Sequence, residues 1–211
     1  MMLLFVLFST FQLVYSGIFQ EYSADVVRIY GSAKCPDTTA FLRDQFMPFL
    51  KEFNVTNFYN GMDNVLPNGK KLSIEYYPVP IKAGPDDDHF TYQCFKGFAE
   101  CQANIMQACA LKYDKTNATN TLMCAQELPS AKFTDCIAKA GPDSLLSALD
   151  CAIEEGPKLF YDNYEEMKQL EQFPEYVPWI VINGKHVPRA EDDFKAAICA
   201  LESMKDFEIC C

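Results

Sequence analysis

Long apolar runs are scarce in this sequence. After residues 1–16 no stretch approaches the roughly 18 apolar residues that a membrane helix needs, so no anchor is expected beyond that point. Positive charge is scarce too: 18 Lys and Arg face 29 Asp and Glu, a formal net charge of -11. Such a surface repels phosphates instead of releasing their counterions, which argues against nucleic acid and anionic membrane as partners. Histidine occurs only twice and no two cysteines are spaced Cys-x-x-Cys, so a zinc knuckle has no ligand set here. The acidic run Asp86-Asp87-Asp88-His89 reads as a solvated polar loop in preference to a metal site. No metal and no cofactor is expected. No Pro/Ser-rich linker or internal repeat splits the 211 residues, a length that suits one core.

What the chain does have points to the secretory route. Residues 1–17 open with Met-Met-Leu-Leu-Phe-Val-Leu-Phe and end in Val14-Tyr15-Ser16-Gly17, which reads as a signal peptide, although no Lys or Arg precedes the apolar run. Ten cysteines behind a leader fit an oxidising compartment, where pairs persist. Two sequons, Asn54-Val55-Thr56 and Asn117-Ala118-Thr119, agree with passage through a glycosylating lumen.

Along the mature chain, Asp25-Val-Val-Arg-Ile-Tyr30 is a β-branched run stopped by Gly31-Ser32. Residues 36–53 then place Phe41, Leu42, Phe46, Phe49 and Leu50 at helical spacing, with Pro36 suited to the first turn. Residues 55–59 read as a second strand beside the first in a βαβ unit, and 71–77 as a third after the Pro67-Asn68-Gly69 turn. From about residue 92 to 173 the pattern is helical and rich in cysteine. It then returns to strand at Val177-Pro178-Trp-Ile-Val-Ile182, turns at Asn183-Gly184, and closes with a helix over 191–204 that faces Phe194, Ala197, Ile198 and Leu201 inward. The order βαβ, insertion, ββα predicts an α/β, thioredoxin-like fold: one domain over 18–211 with a disulfide-rich helical insertion at about 92–173.

Cys35 stands at the strand-to-helix boundary, where a helix dipole and free backbone N–H groups stabilise a thiolate. Lys34 favours that charge and Asp37 opposes it. A structural cysteine bridged elsewhere is the competing reading. Read as one continuous helix, Cys94, Cys101 and Cys109 share a side but lie about 10.5 Å apart per seven residues, beyond disulfide reach. On that reading their partners lie elsewhere, with Cys124, Cys136 and Cys151 as candidates. Trp179 reads as core, and His186 as a surface residue in preference to a catalytic base.

The segment Cys94-Phe-Lys-Gly97-Phe-Ala-Glu100-Cys101-Gln-Ala-Asn104-Ile-Met-Gln-Ala-Cys109 resembles the signature of the gamma-interferon-inducible lysosomal thiol reductase family, Cys-Gln-His-Gly-x-x-Glu-Cys-x-x-Asn-x-x-x-x-Cys. Six fixed positions match at the right spacing, while Phe95-Lys96 replaces the Gln-His pair. Tyr176-Val-Pro-Trp-Ile-Val-Ile-Asn-Gly-Lys-His186 is similar to the family's cis-proline strand and hairpin. The resemblance runs from about Asp25 to Cys210. It implies reduction of protein disulfides at acid pH by a Cys-x-x-Cys pair, and it assigns Cys94, Cys101, Cys109, Cys124, Cys136, Cys151, Cys199 and Cys210 to an even set of eight. Connectivity stays open, Cys210 and Cys211 could exchange roles, and a Cys35 to Cys211 bridge would silence the site.

The sequence departs from that family at Cys35-Pro36-Asp37-Thr38, where the attacking cysteine is kept and the resolving one is Thr38. In a dithiol enzyme the second thiol displaces the first mixed disulfide from within. Thr38 cannot, so release must come from outside. One expectation is therefore a monothiol reductase, secreted or lysosomal, with Cys35 as nucleophile, Pro178 presenting the substrate, disulfide-bonded proteins as substrates, and cysteine or glutathione as reductant. The other is a catalytically impaired binding protein that has kept the thioredoxin fold.

Overall fold

The computed structural model describes residues 24–59, 61–87, 89–113, 118–127, 133–139 and 141–210. The expected signal peptide, the Asn117 sequon, Asp88 and Cys211 lie outside the described residues. Strand β1 (Asp25–Gly31) runs parallel to β3 (Lys71–Pro78) on one side and antiparallel to β6 (Trp179–Ile182) on the other. Two short edge strands complete the sheet, β2 (Asp63–Val65) beside β3 and β7 (Lys185–His186) beside β6, in the order β2-β3-β1-β6-β7. Alternation along β1 sorts its side chains to two faces. Val27 and Ile29 join Leu72, Ile74, Ile180 and Ile182 on one, while Tyr30 joins Trp179, Val181 and Met167 on the other.

The first face is covered by helix α1, a continuous run made of Pro36–Phe41, a π-helical turn over Leu42–Phe46, and Met47–Glu52. Its Phe41, Phe46 and Phe49 converge edge-on upon Phe194 with ring centroids 4.9 to 5.8 Å apart, the geometry that aromatic quadrupoles favour. Between β3 and β6 the chain makes a separate hairpin, β4 (Lys82–Asp86) and β5 (His89–Gln93), followed among the described residues by five helices. These are α2 (Phe98–Tyr113), α3 (Ala118–Glu127), α4 (Phe133–Ala138), α5 (Pro142–Glu154) and α6 (Gly156–Lys168). Met167 of α6 packs on the second face of the sheet. After β7 come α7 (Arg189–Asp192) and α8 (Phe194–Cys199). The arrangement is an α/β thioredoxin-like sheet with a disulfide-rich helical insertion.

Among the described residues, four disulfides fasten this frame. Cys109 and Cys151 join α2 to α5, Cys124 and Cys136 join α3 to α4, Cys199 and Cys210 tie α8 to the C-terminal segment, and Cys94 pairs with Cys101. The last pair corrects the expectation that Cys94 and Cys101 are out of each other's reach. That argument assumed one helix through both, but α2 begins only at Phe98, and Gly97 turns the chain at φ +75. A left-handed residue at that point folds Cys94 back, and glycine takes that conformation without a β-carbon penalty. The Cα atoms end 5.7 Å apart.

Three further expectations change. Residues 55–59 form no strand: the backbone N–H groups of Thr56 and Asn57 are taken by Oδ1 of Asn64 at 3.2 and 3.0 Å, so the segment has little left for a ladder. The place beside β1 belongs to β3, while Val55 and Phe58 still reach the core. Residues 92–93 belong to β5, so helix begins later than expected. The closing helix is broken at Asp193, whose extended backbone (φ -142, ψ 77) ends α7 and whose carboxylate caps Ala196 N of α8 at 3.0 Å.

Gly31, the last residue of β1, is required by close approach. A β-carbon there would collide with the Tyr76 hydroxyl and sit 2.8 Å from its ring, in a fully buried place. Gly31→Ala should therefore lose about 1–3 kcal/mol of stability by overpacking. Urea unfolding of parent and variant measures it, and an unchanged midpoint would contradict this packing.

Candidate active site

The turn 32–35 carries the chain from β1 into α1 and presents Cys35. Cys35 is the N-cap residue (φ -78, ψ 122), and its carbonyl accepts from the Thr39 amide at 2.9 Å and the Thr39 hydroxyl at 2.8 Å. Pro36 fills the first helical position, where a missing N–H costs nothing. The Cys35 side chain is half-buried, and Cys35 is the one free cysteine among the described residues. Its thiol points at the Val177 carbonyl oxygen, 3.6 Å away. Val177 and Pro178 are joined by a cis peptide bond, so Cys35 and Pro178 meet at one place although far apart in sequence.

Thr38 stands one turn into α1 and is completely buried. Its hydroxyl accepts from the Ser32 amide at 3.4 Å. Thr38 is thus sealed from solvent and engaged in the turn. Below it lies a polar floor. Thr39 Oγ1 contacts Gln126 Oε1 at 3.1 Å, and Gln126 Nε2 donates to the Tyr76 hydroxyl at 3.5 Å. Burial pushes the Tyr76 phenol far above its ordinary range, negative charge on Cys35 adds to that, and the Gln126 hydrogen bond opposes it. Tyr76 therefore stays neutral under the thiol.

Lys34 holds φ +63, a conformation that costs a residue with a β-carbon about 1–2 kcal/mol. Helix α2 and the loop before it brace this turn. Glu100 and Asn104, both almost fully buried, bond to Ser32 and Ala33, and the Lys96 ammonium donates to the Lys34 carbonyl. The sequence reading singled out neither Glu100 nor Asn104 for a role at Cys35. Their place in the matching signature was the signal that could have found them.

Two depressions flank the cis-proline loop and share Tyr176 and Val177. One is an apolar crevice of about 80 Å³ that includes Phe95, Phe173 and Met167. The other is a groove of about 460 Å³ that includes Asp37, Asp44, Glu191 and Asp192. His186 is not the surface residue expected: it stacks on Trp179 at 3.3 Å between centroids, and its Nε2 lies 3.2 Å from Glu191. Asn54 is exposed, at a left-handed position (φ +53) after α1. Among the described residues no group of three or more His, Cys, Asp or Glu is arranged to hold a metal ion, and no helix is long and apolar enough to cross a membrane.

The site brings together a free thiol at a helix mouth and a cis-proline loop. The sequence profile of the gamma interferon inducible lysosomal thiol reductase (GILT) family matches residues 26–140, which hold the Cys35 turn and the whole signature segment. The chain belongs to the GILT family. It is 24% identical over 179 residues to a GILT-like protein of Caenorhabditis briggsae, covering 81% of this chain and 76% of that one. It is 29% identical over 174 residues to the gamma-interferon-inducible lysosomal thiol reductase of Carassius auratus, covering 79% of this chain and 62% of the fish protein. Among solved structures it is similar to oxidised BdbD of Bacillus subtilis (TM-score 0.55, 15% identity, 89% of this chain and 90% of that one). It is also similar to reduced DsbA of Mycobacterium tuberculosis (TM-score 0.53, 13% identity, 89% and 91%). Those two likenesses are of fold.

Iodoacetamide applied to the native oxidised protein should label Cys35 and leave the eight bridged cysteines untouched. Peptide mapping reads this, and a Cys35 found unlabelled or bridged to Cys211 would contradict the site.

Proposed function

We propose that this GILT-family protein is a monothiol protein-disulfide reductase with Cys35 as its sole nucleophile. The observation that supports it best is a free thiol at a helix mouth, facing the carbonyl of the cis-proline loop, with buried Thr38 where a second thiol would stand. The Cys35 thiolate attacks one sulfur of a substrate disulfide. A Cys35–substrate disulfide forms, the substrate S–S bond breaks, and the leaving thiolate takes a proton from solvent. An external thiolate, from cysteine or glutathione, then attacks that mixed disulfide and returns Cys35 as thiolate. A second small thiol frees the substrate chain. Each turnover reduces one protein disulfide and oxidises two small thiols.

In this reading Pro178 and its neighbours present the substrate as an extended chain. The setting is lysosomal or extracellular, entered through the leader at residues 1–17, with glycans at Asn54 and Asn117. The same buried Thr38 favours a second reading, a binding protein that has lost turnover, because no group within the described site can release a mixed disulfide.

The test is turnover of a denatured disulfide-bonded protein at acid and neutral pH with excess cysteine, beside Cys35→Ala. Turnover that needs added cysteine and vanishes in Cys35→Ala is expected, whereas none above that control supports the binding reading instead. Thr38→Cys, close to an isosteric change, should release substrate without added thiol and accumulate a bridge from Cys35 to the introduced thiol, visible by mass. A variant as dependent on added cysteine as the parent would contradict the assignment of position 38.

A further inference from the structure

The signature segment does more than carry a disulfide. Glu100 and Asn104, on one face of α2, are 1% and 0% exposed, and each spends its side chain on the turn that presents Cys35. Asn104 Nδ2 donates to Ser32 Oγ at 3.0 Å, and Ser32 Oγ donates in turn to Glu100 Oε1 at 2.5 Å. Asn104 Oδ1 accepts from the Ala33 amide at 2.7 Å. The second Glu100 oxygen accepts from the Lys96 amide at 2.5 Å, which draws in the loop closed by Cys94 and Cys101. Within the turn itself, Cys35 N reaches the Ser32 carbonyl only at 3.3 Å, and Lys34 sits at a left-handed φ. A turn so weakly bonded to itself needs outside partners to persist, and a buried carboxylate or amide without partners would be costly in its turn.

We propose that Glu100 and Asn104 are positioning residues for the Cys35 thiol, holding the turn 32–35 so that the sulfur stands at the helix mouth against the Val177 carbonyl. The fixed spacing of three between Glu and the preceding Gly97, and of four between Glu and Asn, follows from this task. Gly97 lets the loop turn into α2, and positions 100 and 104 then lie one helical turn apart on the face that meets Ser32 and Ala33. Phe95-Lys96, where the family pattern has Gln-His, leaves the arrangement intact because Lys96 contributes through its backbone N–H and its ammonium reaches the Lys34 carbonyl.

The inference rests on Cys35 being the reactive thiol but can be read without protein-substrate turnover. The test is exchange of the full oxidised protein with dithiobis(nitrobenzoate). The Cys35 thiolate attacks its disulfide, a Cys35–aryl disulfide forms, and coloured aryl thiolate leaves. The rate is corrected with Cys35→Ser. Asn104→Leu should slow the exchange at least tenfold and Glu100→Gln at least threefold, since an amide has one acceptor oxygen where the carboxylate serves two donors, Ser32 O–H and Lys96 N–H. Asn104→Asp, which keeps the acceptor for Ala33 N–H but loses the donor to Ser32 Oγ, should fall between the parent and Asn104→Leu. Asn64→Leu is the matched control, a buried asparagine that holds the Thr56 and Asn57 amides and the Leu72 carbonyl at the end of β1 opposite the turn, and should stay within twofold. Parental exchange in Asn104→Leu, or in Glu100→Gln should the former not fold, overturns the proposal. So does equal slowing in Asn64→Leu at an equal loss of melting temperature. Normal exchange in the parent without protein turnover would count against the proposed reductase alone.

Discussion

Everything at this site depends on how four residues leave a buried strand and enter a helix. In the turn 32–35 each residue has a backbone group tied to a partner. Thr38 holds the Ser32 amide, Asn104 the Ala33 amide, Lys96 the Lys34 carbonyl, and Thr39 the Cys35 carbonyl. Buried backbone groups demand such partners, and here they come from both α1 and α2. Gly31 must lack a side chain so that Tyr76 can fill the space beneath, and Gln126 closes the floor from α3. The helical insertion is therefore part of the site: α2 and α3 supply groups that the thioredoxin-like sheet alone does not.

Thr38, three residues after Cys35, serves the structure of the turn. A threonine hydroxyl is a better hydrogen-bond acceptor than a thiol, and it is used as one toward Ser32 N. Among the described residues no second free thiol stands beside Cys35. The apolar crevice and the acidic groove on either side of Val177 give an approaching chain two unlike flanks.

The strand, turn and helix around Cys35 were legible because local rules agree there: a β-branched run, a Gly31-Ser32 stop, and Pro36 at the first helical position. The hairpin at Asn183-Gly184 was equally legible, and both residues take positive φ (49 and 82). What escaped was decided by tertiary partners. Residues 55–59 have strand composition, but Asn64 takes their amides. The β4–β5 hairpin carries Gly84 and Pro85 inside a strand, which erases the usual pattern. The Cys94–Cys101 pair and the break at Asp193 each hinge on a single backbone conformation, at Gly97 and at Asp193 itself, that periodicity cannot register. Cys35 and Pro178 stand out in the sequence and lie together in the structure, whereas the Glu100 and Asn104 contacts needed three dimensions.

The central claim is that Cys35 works alone, and a trapping measurement addresses it most directly. The oxidised protein is mixed with a stoichiometric disulfide-bonded peptide without small thiol, quenched in acid, and weighed intact. The account predicts one peptide adduct, mapped to Cys35, that persists until cysteine is added and then disappears as free Cys35 returns. An adduct that resolves without added thiol, or one that maps to any other cysteine, would contradict it.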